Sequence, residues 1–208
     1  MTMNELTLNF RRIVSTIRFS IPTYPMDLQE EQKLVENAQQ SADGFGKLYD
    51  IYFSRVYGFV ASRVKDRSDA EDLTSEIFMK VLENIHSFEW RGIPFGGWLF
   101  RIARNCLNSH YSNSSRSETK DIDEVYGLAE DEEKSSPHKN AARSELAQKV
   151  QQVMKELPER ELAVVQMKFF GELNNREIMH ATGLTESNVA IILYRTLRKI
   201  KPDLVYFK

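Results

Sequence analysis

One glycine, Gly183, separates two segments of helical periodicity and most constrains what this chain can fold into. The segment 175–182 predicts a short helix with one covered side. Gly183 then falls where a helix ends in the left-handed region, which glycine enters without a Cβ penalty. Thr185 is a good N-cap for a second helix. The sequence therefore predicts two helices joined by a tight turn.

The second of these helices is predicted to be amphipathic. Its apolar residues recur at the spacing of an α-helix: Val189, Ile192, Leu193, Leu197 and Ile200. At about 100° per residue, the opposite side carries Ser187, Ile191, Tyr194, Arg195 and Arg198. This arrangement is typical of a helix-turn-helix, whose second helix enters the major groove of DNA. The alternative is a plain helical hairpin whose outer face meets water.

Composition places the chain among soluble globular proteins, with 41% hydrophobic and 28% charged residues. The single cysteine, Cys106, excludes an internal disulfide and fits a reducing cytoplasm. No apolar run approaches the roughly 20 residues of a membrane span. Residues 1–25 lack the apolar core of a signal peptide. We therefore expect a cytoplasmic protein with no stable membrane insertion.

Charge is distributed unevenly along the chain, although the net charge is only −2. Residues 117–142 carry 3 basic and 8 acidic residues, whereas basic residues outnumber acidic ones in 44–116 and in 143–208. Two mildly basic blocks flanking an acidic one suggest two modules that face nucleic acid, joined by a tether.

In the first block, apolar residues at three- and four-residue steps predict a helix over 43–64. Ser68 and Glu71 have the spacing of a capping box, which predicts that the next helix begins there. Its core side carries Ala70, Leu73, Ile77, Phe78, Val81, Leu82 and Ile85. Asp69, Asp72 and Glu76 near its start either stabilise the helix through its dipole or form a docking face for a partner.

A loop at 87–97 precedes another helix and combines aromatic residues with arginine. Phe88, Trp90 and Arg91 are its candidates for contact with unstacked bases, since aromatic stacking and arginine together suit single strands. Phe95 and Trp98 are expected in the core. The helix that follows shows Arg101, Arg104, Asn105 and Asn108 away from its apolar side.

The remaining segments complete an all-α prediction of two small helical domains. The domains are expected at 26–111 and 143–208, with an acidic, flexible linker at 112–142. Residues 1–25 form an extension that is either a basic amphipathic helix or an untranslated stretch before Met26. Pro158 suits the first turn of a helix in the second domain.

Nothing in the sequence predicts catalysis. The four histidines and Cys106 lack metal-ligand spacing, and no glycine-rich phosphate loop precedes a helix. We therefore expect neither an enzyme nor a metal or other cofactor.

Four sequence blocks resemble the extracytoplasmic-function (ECF) group of bacterial RNA polymerase sigma factors. They are DAEDLTSEIFMKVLENI (69–85), RGIPFGGWLFRIARN (91–105), LPERELAVVQMKFFGEL (157–173) and the helix-turn-helix at 174–200. The resemblance implies a region 2-like bundle, a region 4-like domain and a function in promoter recognition, −10 melting and transcription initiation. It implies core RNA polymerase and promoter DNA as partners, and an anti-sigma factor as a further one.

The resemblance also implies roles for individual residues. Contact with core polymerase would fall to Asp69, Asp72, Leu73, Glu76 and Ile77. Contact with the −10 element would fall to Phe88, Trp90, Arg91, Arg101, Arg104, Asn105 and Asn108. Contact with the −35 element would fall to Thr185, Ser187, Asn188, Ile191, Tyr194, Arg195 and Arg198.

The chain departs from the family pattern at three places. Ala190, Ile191 and Ile192 stand where polar residues are usual, Ser112 to Ser115 replace a basic cluster, and 1–25 has no counterpart. A standalone helix-turn-helix transcription regulator, with an N-terminal sensing or partner-binding domain, is the alternative function.

Overall fold

The structure, a computed structural model, describes residues 27–64, 66–114, 152 and 154–204. Every regular element within these ranges is a helix, which confirms the all-α prediction. The extension at 1–25, most of the acidic linker and the first residues of the second predicted domain lie outside the described residues.

The first three helices are α1 (Leu28–Gln40), α2 (Ala42–Ala61) and α3 (Arg67–Asn84). Asp27 begins α1 with a capping box, its carboxylate accepting from the amides of Gln29 and Glu30 at 2.8 Å. The corner between α1 and α2 is tight, because a Cβ on Gly44 would lie 2.2 Å from the backbone oxygen of Asn37. This glycine therefore lets the two helices cross closely.

The predicted capping box at the start of α3 is wrong. The helix begins at Arg67, so Ser68 lies inside its first turn, and the N-cap residue Asp66 makes no side-chain cap bond. Glu71 pairs instead with the guanidinium of Arg67, whose Nε lies 2.7 Å from Oε1. An ion pair across one helical turn has thus replaced the expected reciprocal cap.

A short 3-10 helix, Ile85–Ser87, leads into a loop and then into α4 (Phe95–Ser114). Because α4 continues to Ser114, it passes the predicted start of the linker at 112. The later helices are α5 (Glu159–Phe169), α6 (Asn175–Thr182) and α7 (Glu186–Leu204). Pro158 is the N-cap of α5, one residue before the position expected for it.

One hydrophobic core runs through both halves of the described chain. Its fully buried large side chains include Phe59, Phe95, Phe100, Leu107, Met167 and Leu173. Helix α6 packs directly against α4, and α5 and α7 pack against each other and against α6. The sequence suggested two bodies on a tether and did not indicate that they pack together.

A buried carboxylate joins three elements of the first half. Glu31 on α1 accepts hydrogen bonds from the Tyr52 hydroxyl on α2 and, at 3.3 Å, from the backbone amide of Gly96 on α4. Burial raises the pKa of Glu31 above its ordinary value of 4.5, although both hydrogen bonds oppose the shift. The folded protein therefore retains this proton to higher pH than the unfolded chain.

Replacing Glu31 by glutamine should change how the free energy of unfolding depends on pH. Because the folded-state pKa of Glu31 is raised, its contribution to stability is fully present below about pH 4 and is lost as pH rises through the folded pKa. The wild type should thus lose stability relative to Glu31→Gln as pH rises from about 4 through the folded-state pKa of Glu31. Urea unfolding of both proteins over this range measures the difference. Glu36→Gln, at an exposed site on the same helix, is the control and should parallel the wild type.

Candidate nucleic-acid interface

The turn between α6 and α7 has the predicted geometry. Gly183 adopts φ 74° and ψ 13°, and its amide donates to the carbonyl of Met179 at 2.9 Å. Thr185 caps α7, its hydroxyl accepting from the amide of Asn188 at 3.2 Å. Both predictions are confirmed, so the orientation of α7 is set by a helix end and a helix start two residues apart.

Helix α6 begins with a capping box that the sequence reading missed. The Asn174 side chain accepts from the amide of Glu177 at 2.9 Å, and Glu177 Oε2 accepts from the amide of Asn174 at 2.7 Å. The signal was present in the sequence, since a good N-cap residue stands three positions before a glutamate. The short α6 is therefore stabilised locally at its first turn.

Every residue predicted to read the −35 element is exposed. They are Thr185, Ser187, Asn188, Ile191, Tyr194, Arg195 and Arg198. On the opposite side of α7, Val189, Leu193 and Leu197 are buried in the core. Ile191 and Tyr194 are large and still 46% and 47% exposed, which leaves an apolar and basic outer face available to a partner.

The loop before α4 is more deeply packed than predicted. Phe88 is only 8% exposed and its ring lies 5.3 Å from those of both Phe95 and Trp98, so it packs in the core in this conformation, and its contact with bases stays a prediction. An aromatic residue in a loop can still be core, and the sequence pattern did not separate the two cases. Trp90 is partly buried beside Phe88, and Arg91 is exposed with its Nε 3.0 Å from a carboxylate oxygen of Glu89.

The polar residues of α4 divide into two groups. Arg101, Asn105 and Asn108 are exposed, whereas Arg104 is partly buried and donates to the carbonyl of Thr182 at 3.3 Å. Partial burial lowers the pKa of Arg104, and the neighbouring charges of Arg101, Arg160 and Arg63 add to this. Arg104 therefore points at α6 in this structure.

A cavity of about 330 Å³ opens between α3 and α4. It is lined by Lys80, Asn84, Ser87, Trp98, Ile102, Asn105, Cys106 and Ser109. Lys80 lies on its wall, with Nζ 2.5 Å from Glu76 Oε1 and 3.5 Å from the sulfur of Cys106. The wall combines an indole, an amide and an ammonium group, which suits a flat polar ring.

The outer face of α3 differs from the prediction. Asp72 and Glu76 are exposed and Asp69 is partly exposed, but Leu73 and Ile77 are 5% and 0% exposed. Both pack in the core, as their apolar spacing predicted, and their role at a protein interface stays a prediction.

Two apolar residues of α3 are exposed in their place. Met79 is 57% exposed, and Leu82 is 43% exposed despite its predicted core position. Met79 stands seven residues after Asp72, two turns along the same side of α3. From this spacing, the exposure of Met79 could have been predicted.

Neither a metal-binding group nor a membrane-spanning helix is found within the described residues. In those ranges, no three or more His, Cys, Asp or Glu side chains gather as a metal-binding group. Nor does any helix of the described chain have the length and apolar character needed to cross a membrane.

Comparison with known proteins decides the family. Residues 48–117 match the family model for Sigma-70 region 2, and residues 153–201 match the model for Sigma-70, region 4. The ECF RNA polymerase sigma factor BldN of Streptomyces coelicolor is 33% identical over 192 residues, covering 88% of this chain and 70% of BldN. This chain belongs to the ECF RNA polymerase sigma factors. It directs transcription initiation, and the standalone regulator is not favoured because both sigma regions are matched.

Further proteins are similar to this sigma factor. ECF RNA polymerase sigma factor SigM of Bacillus subtilis is 28% identical over 155 residues, covering 74% of this chain and 91% of SigM. The fold is similar to that of CnrH, solved in complex with the cytosolic domain of CnrY, with a TM-score of 0.59 and 20% identity. That likeness covers 86% of this chain and 99% of CnrH.

Substitutions at Gly183 should separate backbone strain from crowding. No atom lies within 4 Å of a Cβ built there, so the cost of a side chain comes from the positive φ alone. Gly183→Val should lower the free energy of unfolding by about 1–2 kcal/mol. Gly183→Asn should cost less, because asparagine enters the left-handed region more readily. Urea unfolding measures both, and equal losses would contradict strain as the cause.

Proposed function

We propose that this sigma factor acts through three surfaces on its described helices. The outer face of α3 docks on core RNA polymerase, the surface of α4 and its preceding loop binds the −10 element, and α7 reads the −35 element. The observation that carries the proposal is the one-sided exposure of α7, where six residues suited to DNA share one face while the opposite side is core. The protein would work in the cytoplasm, without a reaction of its own.

At the −35 element, α7 would lie in the major groove. Ser187, Asn188 and Tyr194 offer hydrogen-bonding groups to base edges, and Ile191 offers an apolar contact to a thymine methyl. Arg195 and Arg198 would hold phosphates, which set the register of the helix without reading sequence.

At the −10 element, the exposed polar residues of α4 would meet the opened strand. Arg101, Asn105 and Asn108 are available, and Trp90 and Arg91 stand on the neighbouring loop. Trp98 and Asn105 line the cavity beside α3, which we propose receives an unstacked base. Stacking of about 1–3 kcal/mol per base would offset the cost of flipping it out.

For core polymerase, the docking face would combine acidic and apolar groups of α3. Asp72 and Glu76 carry the charge, while Met79 and Leu82 supply the apolar area that Leu73 and Ile77 cannot. Partly buried Asp69 stands at the N-terminal end of this face. Exposed apolar side chains rimmed by charge are typical of protein interfaces.

An anti-sigma factor is a further proposed partner. The family resemblance implies one, and CnrH, a protein of similar fold, has been solved with the cytosolic domain of CnrY bound.

Replacing Met79 and Leu82 together by serine should weaken binding to core polymerase and reduce run-off transcription by about tenfold or more. The reason is the lost apolar contact at the docking face, where anchor residues typically contribute more than about 1 kcal/mol each. Purified core polymerase lacking any other sigma factor is the enzyme for the assay, with affinity measured separately.

Leu28→Ser is the matched control for this double variant. Leu28 is 43% exposed, the same fraction as Leu82, but it lies at the start of α1. It should leave both binding and transcription unchanged. Equal loss in the control would assign the effect to general destabilisation, and no loss in the α3 variant would contradict the docking face.

Replacing Arg195 and Arg198 by alanine should weaken binding to a −35 duplex and flatten its salt dependence. Each lost phosphate contact lowers the slope of log K against log salt by about 0.9, so the slope should fall by up to about 2. Fluorescence anisotropy at several salt concentrations measures it. Lys33→Ala, at an exposed site on α1, should keep the wild-type slope. An unchanged slope in the arginine variant would contradict contact between α7 and the phosphate backbone.

A further inference from the structure

Four arginines belong to the place where the end of α2, one side of α4 and the start of α5 meet. They are Arg63, Arg101, Arg104 and Arg160, and they are called here the arginine junction. Arg63 lies just after α2, is only 4% exposed, and pairs with Glu159, the first residue of α5. Tyr111 of α4 donates to the carbonyl of Arg63, whose guanidinium carbon lies 5.7 Å from the centre of the tyrosine ring. Side-chain contacts therefore join all three elements.

Helix α4 directs two arginines toward this junction. Arg104 lies seven residues before Tyr111, which is two turns along the same side of the helix. It is partly buried and donates from Nη1 to the carbonyl of Thr182 at 3.3 Å. Arg101 is exposed and stands three residues before Arg104, a spacing that places two Cβ atoms about 5–6 Å apart. The two guanidinium groups are thus neighbours on one face.

The start of α5 adds positive charge of two kinds. Arg160 is the second residue of the helix and is exposed. The N-cap residue, Pro158, makes no side-chain cap hydrogen bond. Because the first amides of a helix point outward and carry partial positive charge, this end of α5 favours an anion in the same way as the arginines do.

The charge of the arginine junction is not balanced within the described chain. Burial lowers the pKa of Arg104, and the positive charges of the other three arginines lower it further. The carboxylate of Glu159 is taken up by Arg63. Among the described residues, no carboxylate pairs with Arg101, Arg104 or Arg160. Like charges held together without a counterion destabilise a fold, so an anion bound here would stabilise it.

Two buried donors at the same place also lack an acceptor. Nε of Arg63 and Nε of Arg104 are both buried and make no hydrogen bond in the described structure. An unmade hydrogen bond of a buried charged group is costly, and such groups are rare unless a ligand or another partner completes them. The charge of a guanidinium group is delocalised, so an anion on its outer nitrogens would stabilise the whole group.

The geometry favours phosphate over other anions. A guanidinium group offers parallel N–H donors that match two oxygens of one phosphate, and several arginines together form a typical phosphate site. The arginine pair of α4 and the single arginine of α5 are spread over more than one guanidinium width. Two linked phosphate groups can meet donors on both helices, whereas one carboxylate supplies a single charge.

We propose that the arginine junction binds a small diphosphate anion through Arg101, Arg104 and Arg160. The site shares no residue with the outer face of α7 or with the docking face of α3. Arg101 and Arg104 also belong to the proposed −10 surface. If that proposed function holds, a bound diphosphate competes with the promoter strand for these two arginines.

Titration calorimetry with pyrophosphate tests the site on the full chain, without DNA or polymerase and at constant ionic strength. The wild type should bind one pyrophosphate, and its unfolding temperature should rise until the site is saturated. Arg160→Ala should weaken binding about tenfold or more, because charge-assisted hydrogen bonds are lost. Lys33→Ala is the matched control, since it removes one positive charge from an exposed site on α1, and it should bind like the wild type.

Arg101→Ala is a second variant, on the other helix, in case Arg160→Ala does not fold. It should also lose about tenfold or more in affinity, with helix content unchanged by circular dichroism. Absence of binding by the wild type, or equal affinity in the wild type and both variants, would overturn the proposal. So would an equal temperature rise in all proteins, because phosphate anions stabilise proteins generally through exclusion from their surface.

A labelled single-stranded oligonucleotide distinguishes a free diphosphate from the phosphates of DNA. Pyrophosphate should displace the strand from the wild type, and Arg160→Ala should need about tenfold more pyrophosphate for the same displacement. If Arg160→Ala weakened strand binding tenfold and left pyrophosphate binding unchanged, the site would belong to DNA and the proposal would be overturned. If no strand bound while calorimetry showed the site, the proposed −10 role of α4 would fail and the diphosphate site would stand.

Discussion

Burial of α4 on two sides is the constraint on which the rest of the structure depends. Phe95, Leu99 and Leu107 are fully buried, and Phe100 meets Phe59 of α2 with ring centroids 5.5 Å apart. α6 is the later helix packed directly on α4. Since a closely packed core leaves little freedom of rotation, this double cover sets which residues of α4 face outward. The positions of the candidate DNA-binding groups follow from the core.

The sequence was sufficient to predict those features that are determined by residues close together in the chain. Apolar spacing of 3.6 residues located the amphipathic face of α7, and the exposed positions of Ser187 and Arg195 followed from counting angles. The turn at Gly183 could be predicted from the sequence because few residue types adopt a positive φ. The helix cap at Thr185 could be predicted because its hydrogen bond joins two residues only three positions apart. Such signals need no knowledge of the rest of the chain.

The sequence was insufficient where the deciding partner is distant. Arg55 and Glu177 are 122 positions apart, and no local pattern pairs them. Phe88 and Trp90 are both aromatic residues of the same loop. Phe88 is buried because of the residues that surround it in three dimensions, which the sequence alone does not reveal. Leu82 has the spacing of a core residue, but no helix among the described residues covers that part of α3. The candidate site was therefore predictable on α7 and only partly so on the surfaces of α3 and α4.

Glu177 uses its two oxygens for different tasks. Oε2 accepts from the amide of Asn174 and so starts α6, while Oε1 accepts from Arg55 across the contact between the two halves. The first bond already restricts the rotamers of the side chain, so the second forms with less loss of conformational entropy. Fraying at the N-terminus of an eight-residue helix would consequently propagate to the opposite half of the molecule, and docking of that half would in turn suppress the fraying.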